Sequence, residues 1–169
     1  GCVAIICNTV RRAQDVYQTI LESTDDPSID LQLFHSRFMF KDRKRIENEC
    51  FKKYGRDREA KKSILVATQV IEQSLDLDFD LMITEVAPVD LILQRIGRLH
   101  RHPRTRPPSF SMPELWIMEP CVEGGLNFGS SEFIYSRYTL LKSYLLLRHR
   151  ERIHLPDDIR PLVEEAYSY

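Results

Sequence analysis

Along the chain, short unbroken apolar runs alternate with stretches whose apolar residues recur every third or fourth position. Cys2-Val-Ala-Ile-Ile-Cys7 is the first such run and reads as a strand buried on both faces of a parallel sheet. Asn8-Thr9 interrupts it, and either residue can cap a helix. Val10, Ala13, Val16, Tyr17, Ile20 and Leu21 then fall on one side of a helix whose other side is polar. Beyond the turn cluster Asp25-Asp26-Pro27-Ser28, alternation from Ile29 to Phe34 predicts a second strand. A polar-aromatic loop leads into a charged helix from about Lys41 to Tyr54, closed by Gly55. Ser63–Ala67, Asp80–Glu85 and Leu115–Met118 predict three further strands. Between them the pattern predicts a short helix over Val70–Ser74 and a longer one over Val89–Leu99, while the proline-rich stretch His102–Pro113 reads as a loop. Strands alternating with helices imply an α/β fold, a mostly parallel sheet flanked by helices on both faces. No internal repeat or low-complexity tract interrupts it.

After Pro120 the pattern changes. Gly124-Gly125 and Gly129 mark a connector, Phe133–Arg150 reads as a helix, and Pro156-Asp-Asp opens a final short one. Residues 1–120 are thus the expected α/β domain. Residues 121–169 are a connector plus two helices, which either extend that domain or begin the next one. A length of 169 residues fits one domain able to bury its own core. With 43% hydrophobic and 29% charged residues, disorder, collagen and coiled coil are excluded. No apolar run near the start is long enough to span a membrane, and no basic region precedes the first strand as in a secretion signal. The chain opens on Gly and not Met, so a fragment of something longer is expected. Cys2, Cys7, Cys50 and Cys121 form no C-x-x-C pair and have no His at zinc-ligand spacing. Free thiols in a reducing compartment, the cytoplasm, are the expectation.

Charge changes the picture more. The net charge of −1 conceals blocks: residues 37–62 hold 11 Lys/Arg against 5 acids, residues 63–93 hold 6 acids and no base, and residues 94–106 hold 5 Arg and no acid. Either basic block is a solvated face or a seat for an anionic partner. Parallel sheets place ligands beyond the carboxyl ends of their strands. Here those ends carry Asn8-Thr9, His35-Ser36-Arg37 and Thr68-Gln69, the last leading through Glu72 to Asp76. Thr68 and Gln69 start a helix, so their N–H groups can face a phosphate, or Thr68 simply caps that helix. Gln94, Arg98 and Arg101 share one face if the helix persists that far, and Gly97 lets a backbone or phosphate approach closely. Arginines there suit phosphate oxygens and can neutralise charge developing during phosphoryl transfer. The alternative is that they pair with Asp76, Asp78 or Asp80.

Some chemistry is missing. No G-x-x-x-x-G-K-[ST] loop exists to cradle phosphates, no Asp-Glu pair follows a strand, and no H-E-x-x-H or His-Asp doublet suggests a metal site. His100-x-His102 alone is too little for a metal. Phosphate-facing arginines without a cradle look like half of a composite site.

These residues carry a family resemblance. Ile64–Asp76 resembles motif V of superfamily 2 helicases, and Gln94-Arg-Ile-Gly-Arg-Leu-His-Arg101 resembles their motif VI, Q-R-x-G-R-x-x-R. Cys2–Asn8 is similar to the motif IV region, and His35-Ser36-Arg37 to the backbone-gripping segment after it. The wording of residues 70–80, of Gln94–His102 and of Leu155–Val163 is most similar to the CRISPR-associated helicase-nuclease of type I interference. The resemblance, over roughly residues 2–120, implies the second RecA-like domain of such an enzyme, of P-loop NTPase type but without its own P-loop. It implies arginine fingers at Arg98 and Arg101, reaching ATP held by a separate first RecA-like domain that also holds Mg²⁺. Gln94 would touch the γ-phosphate or the attacking water, Gly97 would line the nucleotide, and Asp76 would lie near the ribose or couple the two domains. Asn8, Thr9, His35, Ser36, Arg37, Thr68, Gln69 and Glu72 would face single-stranded DNA, with Arg43 and Arg45 adding charge. Phe38 and Phe40 would be stacking platforms, or would pack on the neighbouring helix. Implied for the whole enzyme are 3′ to 5′ translocation, a nuclease domain and recruitment by a guide-RNA surveillance complex. Rival readings are an RNA helicase, a restriction-enzyme motor, or a non-enzymatic fragment binding protein through its arginine face or the Phe133–Arg150 helix.

Overall fold

The computed structural model describes residues 1–58, 61–72, 75–122 and 124–168, and for Phe40 it describes no side chain. Five strands, β1 (Cys2–Ile6), β2 (Asp30–Phe34), β3 (Ser63–Ala67), β4 (Leu81–Glu85) and β5 (Glu114–Met118), pair in the order β2-β3-β1-β4-β5. All four pairings are parallel, with Cys2 opposite Ser63 and Val3 opposite Leu81. Five helices complete the fold: α1 (Val10–Ser23), α2 (Phe40–Tyr54), α3 (Val89–Ile96), α4 (Arg137–Leu147) and α5 (Ile159–Tyr167). The predicted α/β architecture is the observed one.

The sheet is covered on both faces because its strands are apolar on both. On one side Ile46, Cys50 and Tyr54 of α2 pack with Cys2, Ala4, Ile6, Leu65 and Met82. On the other, Ala13, Val16, Tyr17 and Ile20 of α1 pack with Cys7, Val66 and Leu33. Buried apolar area of this kind stabilises at roughly 25 cal/mol per Å². Ala87, Val89, Ile92 and Leu93 meet Leu147 of α4 and Leu162 and Ala166 of α5, so both late helices pack on α3. Leu140 and Tyr144 of α4 close with Val86 and Phe128 over the end of β4.

Three boundaries differ from the sequence expectation. The helix expected to Leu99 stops at Ile96, because the chain after Gly97 pairs as strand: Phe79 N–H donates to Arg98 O (2.9 Å) and His100 N–H to Phe79 O (3.1 Å). His100 takes a positive φ of 46° as the chain leaves that bridge. The helix expected over Phe133–Arg150 runs only Arg137–Leu147; Ser136 Oγ accepts from Thr139 N–H and sets its start, and Gly129–Phe133 forms a separate 3-10 turn. Where Val70–Ser74 is expected helical there is a 3-10 turn at Gln69–Ile71, and Gln73 and Ser74 lie outside the described residues.

Candidate functional site

The five arginines of residues 94–106 separate into two groups by what they touch. Arg95 points into the core and is fully buried. Its Nε lies 2.7 Å from Glu72 Oε1, and its terminal nitrogens donate to Thr84 Oγ1 (2.5 Å) and Asn8 Oδ1 (3.3 Å). Glu72 is itself 6% exposed, and burial pushes its carboxyl above the ordinary 4.5, with Arg95 pulling the other way. At the opposite end of the sheet, Arg104 holds Asp78 at 2.5 Å, and Arg106 spans Asp78 and Asp80. Arg58 completes this cluster at 2.8 Å from Asp80, whose second oxygen also accepts from Cys2 N–H (2.7 Å). Burial works to raise Asp80, but Cys2 N–H, Arg58 and Arg106 outweigh it and hold the carboxyl below the ordinary 3.8. The basic block and the acidic block therefore largely neutralise each other inside the protein.

Arg98 and Arg101 stand apart from those buried pairs. Arg98 donates only to the carbonyl of Glu72 (3.2 Å), and its Nε is buried without a partner among the described residues. Burial, and then the neighbouring Arg101, push its guanidinium below its ordinary value, with Asp76 and Glu72 acting the other way. Arg101 Nε reaches Asp76 Oδ1 at 2.5 Å, but both side chains are open to solvent, 39% and 48% exposed. His102 Nε2 stands 3.2 Å from the other Asp76 oxygen. Desolvation acts to raise Asp76, yet Arg101 and His102 together hold it low. Backbone contacts seat the loop: Arg101 N–H donates to Asp78 Oδ1 (2.8 Å), and Arg101 Nη1 to Gly97 O (3.1 Å). Gln94 is exposed on α3 beside them. The three residues do not share a helix face as expected, since α3 ends before Arg98; the strand-like pairing to Phe79 presents the arginines instead. Of the alternative pairing with three aspartates, only that of Arg101 with the outermost, Asp76, occurs.

The strand ends are brought together as expected, but most of their side chains face inward. Asn8, His35 and Thr68 are buried, at 1%, 4% and 2% exposure. Asn8 Nδ2 donates to Val86 O (2.7 Å) and Ser131 Oγ (2.9 Å), and Gln69 Nε2 to Asn8 O (2.8 Å) and the Tyr135 hydroxyl (3.0 Å). Asn8, His35 and Thr68 thus lie inside the fold at the strand ends, and Glu72 is held by Arg95, instead of standing open at the surface as the sequence suggests. Thr9 caps α1, accepting from Arg12 N–H (3.2 Å), with part of its surface still open. Ser36 and Arg37 are exposed. Phe38 stacks on His35 with ring centroids 4.2 Å apart, and burial lowers the His35 pKa, favouring the neutral ring. The side chain of Phe40 lies outside the described residues. Arg43 and Arg45 are paired to Glu47 and Glu49. Sequence reasoning missed Arg95, the centre of the buried network, together with Tyr135 and Ser131. The only signal for Arg95 was its i+3 spacing from Ile92, which places it on the apolar side of α3.

Among the described residues no group of three or more His, Cys, Asp or Glu could hold a metal, and no helix is long and apolar enough to cross a membrane. A family model described as "CRISPR-associated nuclease/helicase Cas3, C-terminal" matches residues 1–104. The CRISPR-associated endonuclease/helicase Cas3 of Escherichia coli (strain K12) is 40% identical over 98% of this chain and 19% of its own length. T. fusca Cas3 solved with ADP superposes with a TM-score of 0.93 at 39% identity, covering 99% of this chain and 20% of that one. A chain in a CRISPR RNA-guided surveillance complex, pre-nicking, gives a TM-score of 0.85 at 37% identity, covering 99% of this chain and 21% of that one. The chain thus spans about a fifth of the length of these relatives.

Proposed function

Since the chain belongs to the family of CRISPR-associated nuclease/helicases called Cas3, we propose that it is the second motor domain of such an enzyme, working on ATP and single-stranded DNA in CRISPR interference. The observation that carries this reading is the sorting of the arginines. Three of the five in residues 94–106 are neutralised by buried carboxylates, whereas Arg98 has a carbonyl and no carboxylate as its partner among the described residues, and Arg101 has only the solvent-exposed Asp76. A phosphate between them would supply the missing counter-charge, and Arg presents a fork of donors suited to its oxygens.

ATP is then the substrate, held chiefly by a first RecA-like domain of the same protein, which also holds Mg²⁺. From this side Arg98 and Arg101 donate to γ-phosphate oxygens and stabilise the charge that develops as the phosphoryl group passes to water. Gln94 orients the phosphate or the water, Gly97 leaves room for close approach, and Asp76 holds Arg101 ready. Loss of the γ-phosphate removes the ligand of both arginines, so the cleft between the domains opens, a two-state motion biased by nucleotide. Ser36, Arg37 and Thr9 grip DNA phosphates, while Asn8, His35, Thr68, Gln69 and Glu72 shape the strand ends behind them. Such contacts read backbone and not base. We assign residues 121–168 to the same domain, because α4 and α5 pack on α3. Nuclease action, a guide-RNA surveillance complex as partner and a cytoplasmic setting complete the proposal; the similar T. fusca protein is solved with ADP, and another relative within a surveillance complex.

The isolated chain provides the direct test. It has no phosphate cradle, so malachite-green assays of the purified domain should show no ATP hydrolysis above background. Steady hydrolysis that disappears in Arg101→Ala would overturn the shared-site reading.

A further inference from the structure

The basic block of residues 37–62 is not absorbed by the site described above. Inside the fold its cations sort as the arginines do. Arg43, Arg45, Lys53, Arg58 and Lys62 are tied to Glu47, Glu49, Asp30, Asp80 and Asp26. Lys41, Lys44 and Lys52 have no carboxylate partner among the described residues, and all three are exposed. They occur at i, i+3 and i+11 of α2, on one face, with Asn48 between them, opposite the buried Ile46, Cys50 and Tyr54. At 1.5 Å per residue the stripe is about 16 Å long. Its acids are few: Glu49 is engaged by Arg45 and Gln32, and Asp42 and Asp57 flank the ends. Phe51, 42% exposed, borders the stripe.

This arrangement is a row of like charges with an aromatic edge, and it begins where Ser36 and Arg37 leave β2. We propose that the outer face of α2, through Lys41, Lys44 and Lys52, is a secondary track for the phosphate backbone of the DNA strand passing Ser36 and Arg37. The inference rests on the motor-domain reading and extends its DNA path beyond the strand ends. Lysines as point charges give sequence-blind, salt-dependent attraction. Phe51 offers a base a stacking surface at the edge of the row. An acidic protein would also satisfy the charge, but continuity with Ser36–Arg37 favours nucleic acid.

The experiment uses the full-length enzyme and homopolymeric single-stranded DNA of graded length, with affinity measured from 50 to 200 mM salt. In the wild type, affinity should keep rising with length after the strand ends are filled. K41Q/K44Q/K52Q should lose roughly tenfold of that rise and show a salt slope shallower by about 2, while K41R/K44R/K52R should retain both. Unchanged length dependence and slope in the glutamine variant overturn the proposal. So does an equal loss in the arginine variant, which would mean structural damage. A loss confined to surveillance-complex binding overturns it in favour of protein docking. If the wild type shows no affinity for single-stranded DNA at all, the motor-domain reading fails and not the track alone.

Discussion

The two ends of the sheet and the loop between them use the same side chain in opposite ways. At the carboxyl end Arg95 is enclosed by Glu72, Thr84 and Asn8, and at the amino end Arg58, Arg104 and Arg106 are enclosed with Asp78 and Asp80. There the guanidinium is architecture: removing one partner would strand a buried charge. Between the two ends, Arg98 and Arg101 sit on a carbonyl and on a solvated carboxylate. An exposed ion pair is worth only about 0–1 kcal/mol, so Arg101 can exchange Asp76 for another anion at little cost. Enclosure fixes an arginine, and poor compensation leaves it available.

That contrast can be broken most sharply by activity. In the full-length enzyme, Arg98→Ala or Arg101→Ala should lower ATP turnover by roughly 10³–10⁵, the size of an arginine-finger effect, with single-strand binding nearly kept. Collapse of DNA binding with surviving turnover would reverse the assignment. Next in size is stability. Arg95→Ala should cost about 3–5 kcal/mol in chemical unfolding, because Glu72 is left buried and unpaired. Arg101→Ala should stay within about 0.5 kcal/mol of the parent. Arg95→Met combined with Glu72→Gln, which leaves no buried charge, should lose less than Arg95→Ala; an equal loss would mean that packing, and not charge, sets the cost.

The smallest effect is on pH. Asp80, held below its ordinary 3.8, contributes stability that is present above that value and lost as pH falls through its lowered pKa. Glu72, raised above 4.5, does the reverse: its contribution is lost as pH rises through its raised pKa and is full below 4.5. The part of the acid-induced fall in unfolding midpoint that belongs to Asp80 should therefore lie below about pH 3.8. Arg106→Gln should soften that fall, and a curve unchanged by this variant would contradict the account.

Periodicity made every strand legible, β2 by its alternation and the others by short, mainly apolar runs. It misplaced the end of α3 because local helical spacing at Gln94–Arg101 competes with a non-local pairing to Phe79 that no short window contains. Arg98 and Arg101 could be singled out from their motif, and the absent phosphate loop from its missing glycines and lysine. Neither route could tell that Asn8, Thr68 and Glu72 turn inward. For Asn8 and Glu72 that depends on Arg95, which lies 87 and 23 residues away from them along the chain. A charge block in sequence likewise says nothing of which members find partners; for Arg104, Arg106 and Arg58 the acids arrive from another segment.

The central place of β1 has a cost in time. Its neighbours are β3 and β4, and Cys2 must wait for Ser63. At ribosomal rates of roughly 5–20 residues per second, the most apolar strand of the sheet stays unpartnered for about 3–12 s after it is made. During that interval it is open to chaperones and to aggregation, so the yield of this domain in a cell depends on how that wait is guarded.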